Sequence, residues 1–222
     1  MQIGIRKRFV FVANTKAAST SIEFALAPHA EIQRSGTPKR KHVWMRDALR
    51  IYDFVFSQEK FSPGTFFRFA VMREPSDWIA SWYRYRCGNG KIEAKLPAEI
   101  TFDEFWRKND WNITRADGRP NLQRDLFCRP DGEMLIDYII PYETLDTEFA
   151  RICEGLGVKA ALPKLNRSAI TASEREIPRE LRDEVRAHLQ PDYEIYERLE
   201  SFNEAGWARL EQTRRWAEDG PV

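Results

Sequence analysis

No stretch of this 222-residue sequence approaches the roughly 20 consecutive apolar residues that a membrane-spanning helix needs, so stable insertion in a bilayer is not expected. The amino terminus, MQIGIRKRFVFVA, is basic and then apolar. Its apolar run from Phe9 to Ala13 is shorter than the core of a secretion signal, and Lys16 follows at once, so a buried strand explains it better. Cysteine is scarce. Cys87, Cys128 and Cys153 are an odd number without a C-x-x-C pair, which argues against a disulfide framework and a zinc knuckle and for reduced thiols. An excess of one charge is missing as well: 35 Lys and Arg stand against 34 Asp and Glu, a formal net charge of +1. Nucleic-acid and membrane-surface binders usually carry a basic excess, so neither partner is expected and any anion site must be local. No Asp-rich run or His/Cys cluster has metal-ligand spacing, so no metal is expected. These absences describe a soluble, cytoplasmic protein.

What is present suits a sizeable core: 42% of residues are hydrophobic and 13% aromatic, which fits one domain over residues 1–222. Phe9 to Ala13 is a short apolar run of β-branched and aromatic residues, the pattern of a strand covered on both faces. A small, polar loop from Asn14 to Thr20 follows, then a helix from Ser21 to Leu26 that Pro28 stops. A further helix is expected near Met45 to Ile51. Thr65 to Met72 reads as a second strand that ends at Arg73, and Pro75 opens a helix running through Trp78, Ile79, Trp82 and Tyr83. Leu135 to Ile140 is a third strand, followed by a helix from about Asp146 to Leu156 that Gly157 closes. The region from about 87 to 130 is the least regular and is expected to cover the site. The part from about 173 to 222 is helical, with Leu181, Val185 and Leu189 on one face and Trp207, Leu210 and Trp216 on another helix. Strands alternating with helices predict an α/β fold with a mostly parallel central sheet flanked by helices, and ligands in such sheets bind beyond the carboxyl ends of the strands. Lys16 and Arg73 both lie there.

The first loop is built for an oxyanion. Small residues at 17 and 18 let backbone N–H groups converge, the following helix start adds a favourable dipole, Lys16 supplies charge, and Ser19, Thr20 and Ser21 supply short hydroxyl donors. The pattern G-x-x-x-x-G-K-[ST] is not satisfied, which disfavours a nucleotide triphosphatase. At the second junction, Arg73 offers a planar fork to two phosphate oxygens. Ser81 falls eight residues on, about two helical turns away and able to face the same ligand. A bland alternative has the first loop merely capping a helix, Arg73 pairing with Asp77, and Ser81 serving as a small packing residue.

Thr15-Lys16-Ala17-Ala18-Ser19-Thr20-Ser21-Ile22 resembles the phosphosulfate-binding loop of sulfotransferases, especially those acting on carbohydrates, where Lys-x-(Gly/Ala)-(Ser/Gly/Thr)-Thr-Ser is usual. Thr15 stands where a proline is common, and Ala18 where glycine is frequent. The run from Arg73 to Tyr83 resembles the family's Arg-x-Pro-x-x-x-x-x-Ser-x-Tyr motif. The likeness continues through Tyr142-Glu143-Thr144-Leu145 and Leu162 to Ser168. It implies a three-layer, P-loop-like fold, 3′-phosphoadenosine 5′-phosphosulfate (PAPS) as donor, the bisphosphate PAP as product, and a small-molecule or saccharide acceptor. It further implies that Lys16, Ala17, Ala18, Ser19, Thr20 and Ser21 hold the phosphosulfate. Arg73, Ser81 and Arg167, or Lys164, would hold the 3′-phosphate.

Transfer to a hydroxyl needs a base. Of the three histidines, His29 and His188 read as structural or solvated. His42, between the two motifs, occupies a place where related carbohydrate sulfotransferases often have the histidine beside the acceptor. We therefore assign Lys16 and His42 catalytic roles, with Glu23, Asp47 or Asp103 as acidic candidates should His42 be a surface residue. The run Lys39-Arg40-Lys41 could attract an anionic acceptor. Trp78, Trp82, Trp106 or Trp111 could stack on sugars, although Trp78 and Trp82 have the spacing of core residues. A small-molecule kinase would require a Gly-Lys-Ser/Thr tail and an acidic magnesium partner. A non-catalytic nucleotide-binding protein of the same fold would retain these motifs without turnover.

Overall fold

A computed structural model describes residues 1–88, 96–97, 99–113, 118–163 and 176–219. Its centre is a five-stranded sheet in the order β3-β1-β2-β4-β5. The three expected strands are present as β2 (Phe9–Val12), β4 (Phe67–Met72) and β5 (Tyr138–Pro141), and they pair in parallel, with Phe11 opposite Phe69 and Ala70 opposite Ile139. The sheet as a whole is mixed, which corrects the mostly parallel expectation. β1 (Gln2–Gly4) pairs antiparallel with both β2 and β3 (Ile32–Gln33). The reason is the length of the connection: the turn at residues 5–8, with Arg8 left-handed at φ 55°, is far too short for a parallel crossover. Strands of three and two residues show no readable alternation, so β1 and β3 leave no pattern in the sequence.

Both faces of the sheet are covered, giving three layers. Phe9, Phe11, Phe67, Phe69, Val71 and Tyr138 pack towards α1 (Ser19–Leu26), α8 (Leu145–Gly155) and Leu210 of α11 (Leu199–Asp219). Val10, Val12, Ala70, Met72 and Ile139 face the other way, towards α3 (Met45–Ile51), α4 (Asp53–Phe56) and α7 (Arg124–Phe127). Alternate residues of each strand thus feed opposite cores, and the central strands read as continuous apolar runs. The remaining helices are α2 (Pro38–Lys41), α5 (Pro75–Gly88), α6 (Phe102–Lys108), α9 (Arg182–His188) and α10 (Gln190–Tyr196). A third cluster beyond the sheet joins Trp78 and Tyr83 of α5 to Phe105 and Trp106 of α6, Trp111, and Val185 of α9.

Most helix expectations hold within a residue or two. α1 begins at Ser19, α5 continues past Tyr83 to Gly88, and Gly157 follows α8 with φ 60°. The region read as least regular contains α6, which Thr101 and Glu104 close with reciprocal side-chain bonds, and α7. All three cysteines are buried, Cys128 and Cys153 as free thiols. No described helix is long and apolar enough to cross a membrane.

Candidate active site

Because β2 and β4 are parallel neighbours, their carboxyl ends open on one edge of the sheet, and the two sequence motifs follow directly. The chain leaves β2 through a loop in which Lys16 (φ 57°) and Ala18 (φ 53°) are both left-handed. Each such conformation costs a non-glycine residue roughly 1–2 kcal/mol, and left-handed residues of this kind turn successive amides towards a common concavity. The Ala18 carbonyl accepts from the amides of Ser21 (3.0 Å) and Ile22 (3.3 Å) to start α1. Ala17 is buried in the loop and Ser19 and Ser21 in the first turn of α1, whereas Thr20 is exposed and its hydroxyl accepts from Lys41 Nζ at 3.0 Å.

Lys16 Nζ lies 3.7 Å from the Tyr85 ring centroid and 5.9 Å from that of Trp82. Burial, followed by the nearby charges of Arg73 and Arg84, pulls its ammonium down to about 8. Its charged form would be favoured by an incoming anion. Arg73, 57 residues away in sequence, donates from Nη1 to the Lys16 carbonyl at 3.4 Å, so the two motifs meet. Its guanidinium also covers the Tyr142 ring, 4.4 Å from the centroid. The pairing of Arg73 with Asp77 that the bland alternative foresaw is present, through Nε, and Asp77 also accepts from Arg84 Nη2 at 3.2 Å. Ser81 is half-buried on α5, one turn from Asp77 and Trp78 on one side and from Arg84 and Tyr85 on the other. The Trp78 indole donates to the Thr15 carbonyl at 2.8 Å. The stripe around Ser81 therefore runs along the Lys16 loop.

His42 meets the chain where β2 leads into the same loop. Its Nδ1 lies 2.7 Å from the Ala13 carbonyl. A carbonyl only accepts, so Nδ1 carries the proton and Nε2 keeps its lone pair. Burial pulls the ring down to about 4, with Lys41 and the amino-terminal ammonium adding to the effect and the Ala13 bond and Glu23 opposing it. The imidazole is neutral at pH 7. It lines a cleft of about 250 Å³ together with Arg34, Lys39, Trp44, Asp47 and Asn121.

The sulfotransferase family model matches residues 6–205, a span that holds both motifs, His42 and the whole sheet from β2 to β5. This chain belongs to the sulfotransferase family. Comparison with curated proteins and with solved structures returns no match.

In this sulfotransferase two of the acidic candidates are otherwise engaged. Glu23 accepts from the Met1 ammonium and from Lys41 Nζ, each at 2.7 Å, and Asp103 pairs with Arg107 at 3.1 Å on the surface of α6. Asp47 does line the cleft, 3.6 Å from Arg50. His29 contacts the Lys159 carbonyl, and His188 packs its edge on Trp106 and Trp111. The sugar-stacking idea is corrected for three tryptophans: Trp78, Trp106 and Trp111 pack on one another inside the third cluster, with centroids 5.5 and 5.9 Å apart. Trp82 alone stays half-exposed near Lys16. Arg167 and Lys164 lie outside the described residues. Among the described residues, no three His, Cys, Asp or Glu side chains gather as metal ligands.

Several contacting residues escaped the sequence reading. Tyr85 stands four residues after Ser81, a spacing that helical periodicity could have flagged. Tyr142 sits in a segment read for family likeness only. Gln123 carries no local signal, since its partners Asn14 and Arg73 are distant in the chain; Asn121, bonded through its backbone to Asn112 and Ile113, shows none either.

Proposed function

We propose that this sulfotransferase takes PAPS as donor and moves its sulfuryl group to a hydroxyl of a carbohydrate or another small glycan-like or lipid-linked acceptor, releasing PAP. The observation that carries the reading is the meeting of Lys16 and Arg73 at the shared carboxyl edge of β2 and β4. Two cations converge there on a loop of left-handed backbone opening a helix, a setting suited to two phosphate-bearing ends of one ligand. In this reading the loop from Lys16 to Ser21 holds the phosphosulfate, while Arg73 and Ser81 hold the 3′-phosphate together with Arg167.

The acceptor hydroxyl attacks sulfur from the His42 side. As the new S–O bond forms, the hydroxyl proton passes to His42 Nε2. The S–O bond to the 5′-phosphate breaks, its electron pair stays on the phosphate oxygen, and Lys16 stabilises that charge. A neutral imidazole with its other nitrogen fixed on Ala13 suits the role of proton acceptor.

Calorimetric titration with PAP, and separately with ATP and magnesium, tests the donor. PAP should bind, and Arg73→Ala should weaken it about tenfold or more, the equivalent of about 1.4 kcal/mol. Binding of magnesium-ATP with no binding of PAP would reverse the reading in favour of a kinase.

A further inference from the structure

The ladder between β2 and β4 ends at Val12 and Ala70. Beyond that point the sheet no longer fixes the distance between the Lys16 loop and Arg73, and two side chains take over. Asn14 Nδ2 donates to the Val71 carbonyl (3.0 Å) and to Gln123 Oε1 (2.8 Å). Gln123 Oε1 also accepts from the Arg73 amide (3.0 Å), and Gln123 Nε2 donates back to the Arg73 carbonyl (2.9 Å). A flipped amide would set N–H against N–H at Arg73, so this orientation is the satisfied one. Gln123 is wholly buried and touches both motif strands at once.

Gln123 is itself held from a third direction. Asp192, on α10 and fully buried, accepts from the amide of Gln123 at 3.1 Å and from that of Arg124 at 2.8 Å. A buried carboxylate is tolerated where backbone donors compensate it, and here both oxygens are engaged at the start of α7.

We propose that Gln123, anchored by Asp192, is a positioning residue for sulfuryl transfer: it sets the separation between the Lys16 loop and Arg73. The kinetic part of this proposal rests on the donor site described above, whereas the mechanical part does not. The protein contains a matched control. Asn203 makes the same two-way clamp on a strand, accepting from the Ile139 amide (3.0 Å) and donating to its carbonyl (2.8 Å), but grips β5 in mid-strand.

The experiment compares Gln123→Leu with Asn203→Leu by hydrogen exchange of the free protein and by the split between donor KM and kcat, well below either melting temperature. Gln123→Leu should speed exchange of the amides at residues 14–20, 73 and 74 at least tenfold, raise the donor KM about tenfold and lower kcat. Asn203→Leu should lower the melting temperature while leaving both readouts within about twofold of wild type. Gln123→Glu retains an acceptor for the Arg73 amide and should recover part of the loss; it also serves as the test if Gln123→Leu fails to fold. Unchanged exchange and KM in the Gln123 variants, or equal changes in Asn203→Leu, would overturn the proposal. If the wild type binds no PAP, the donor reading falls and the exchange comparison alone decides the positioning role.

Discussion

His42 shows what burial does to one residue. Its ordinary value near 6.5 is pulled down to about 4, chiefly by loss of solvent. As base it would stay unprotonated through the whole neutral range, so the acid limb of kcat/KM should fall near pH 4 to 5. A limb near 6.5 would show a solvated histidine instead. His42→Ala should cost about 10²- to 10⁴-fold in kcat with little change in PAP affinity, read by steady-state kinetics beside calorimetry. Lys16 titrates on the other side of neutrality. The free ammonium loses its proton near 8, and a bound bisphosphate would favour keeping it, so binding above pH 8 takes up a proton. PAP affinity should therefore be full below about pH 8 and fall as pH rises, by at most about tenfold per unit from this group. Titrations at pH 8.5 in buffers of different ionisation enthalpy should give different apparent enthalpies, and Lys16→Met should remove that dependence.

At the scale of elements, a helix and a strand meet where no methyl group fits. A Cβ at Gly206 would stand 2.5 Å from the Asp137 carbonyl, at the approach to β5. Gly206→Ala adds about 1 kcal/mol of helix propensity to α11 yet forces it off the strand, a crowding that typically costs about 1–3 kcal/mol. Net destabilisation by urea unfolding is expected; net stabilisation would mean that α11 docks more loosely. The elements also show which parts of this protein were legible in its sequence. β2, β4 and β5 were visible because both faces are buried and their apolar runs are unbroken. Lys16 and Arg73 were visible because each motif is local. Gln123 was not, since its role comes from partners up to 109 residues away, and β1 and β3 are too short to show alternation. Trp106 and Trp111 misled for a related reason: nothing in their own neighbourhood told core from platform.

The whole molecule hangs on the middle of the sheet. Phe69 has no exposed surface and sits on β4 against Phe9, Phe11 and Phe67. Phe69→Ala should cost about 3–5 kcal/mol, measured by chemical denaturation, and would disturb both motifs because β4 pairs with β2 and β5 at once. Net charge is close to balance, yet cations concentrate beside the two strand ends, so the local field and the overall charge convey different things.

All the residues lining the His42 cleft except Ile113 and Asn121 come from Arg34 to Ile51. That stretch leaves the sheet at its antiparallel rim and rejoins it at β4, docking on the Lys16 loop through Lys41 and His42. It is a cassette with both ends already fixed. Recombination between relatives at these two joints would exchange most of the His42 cleft, the acceptor side in the proposed reading, and leave the two strand-end motifs in place.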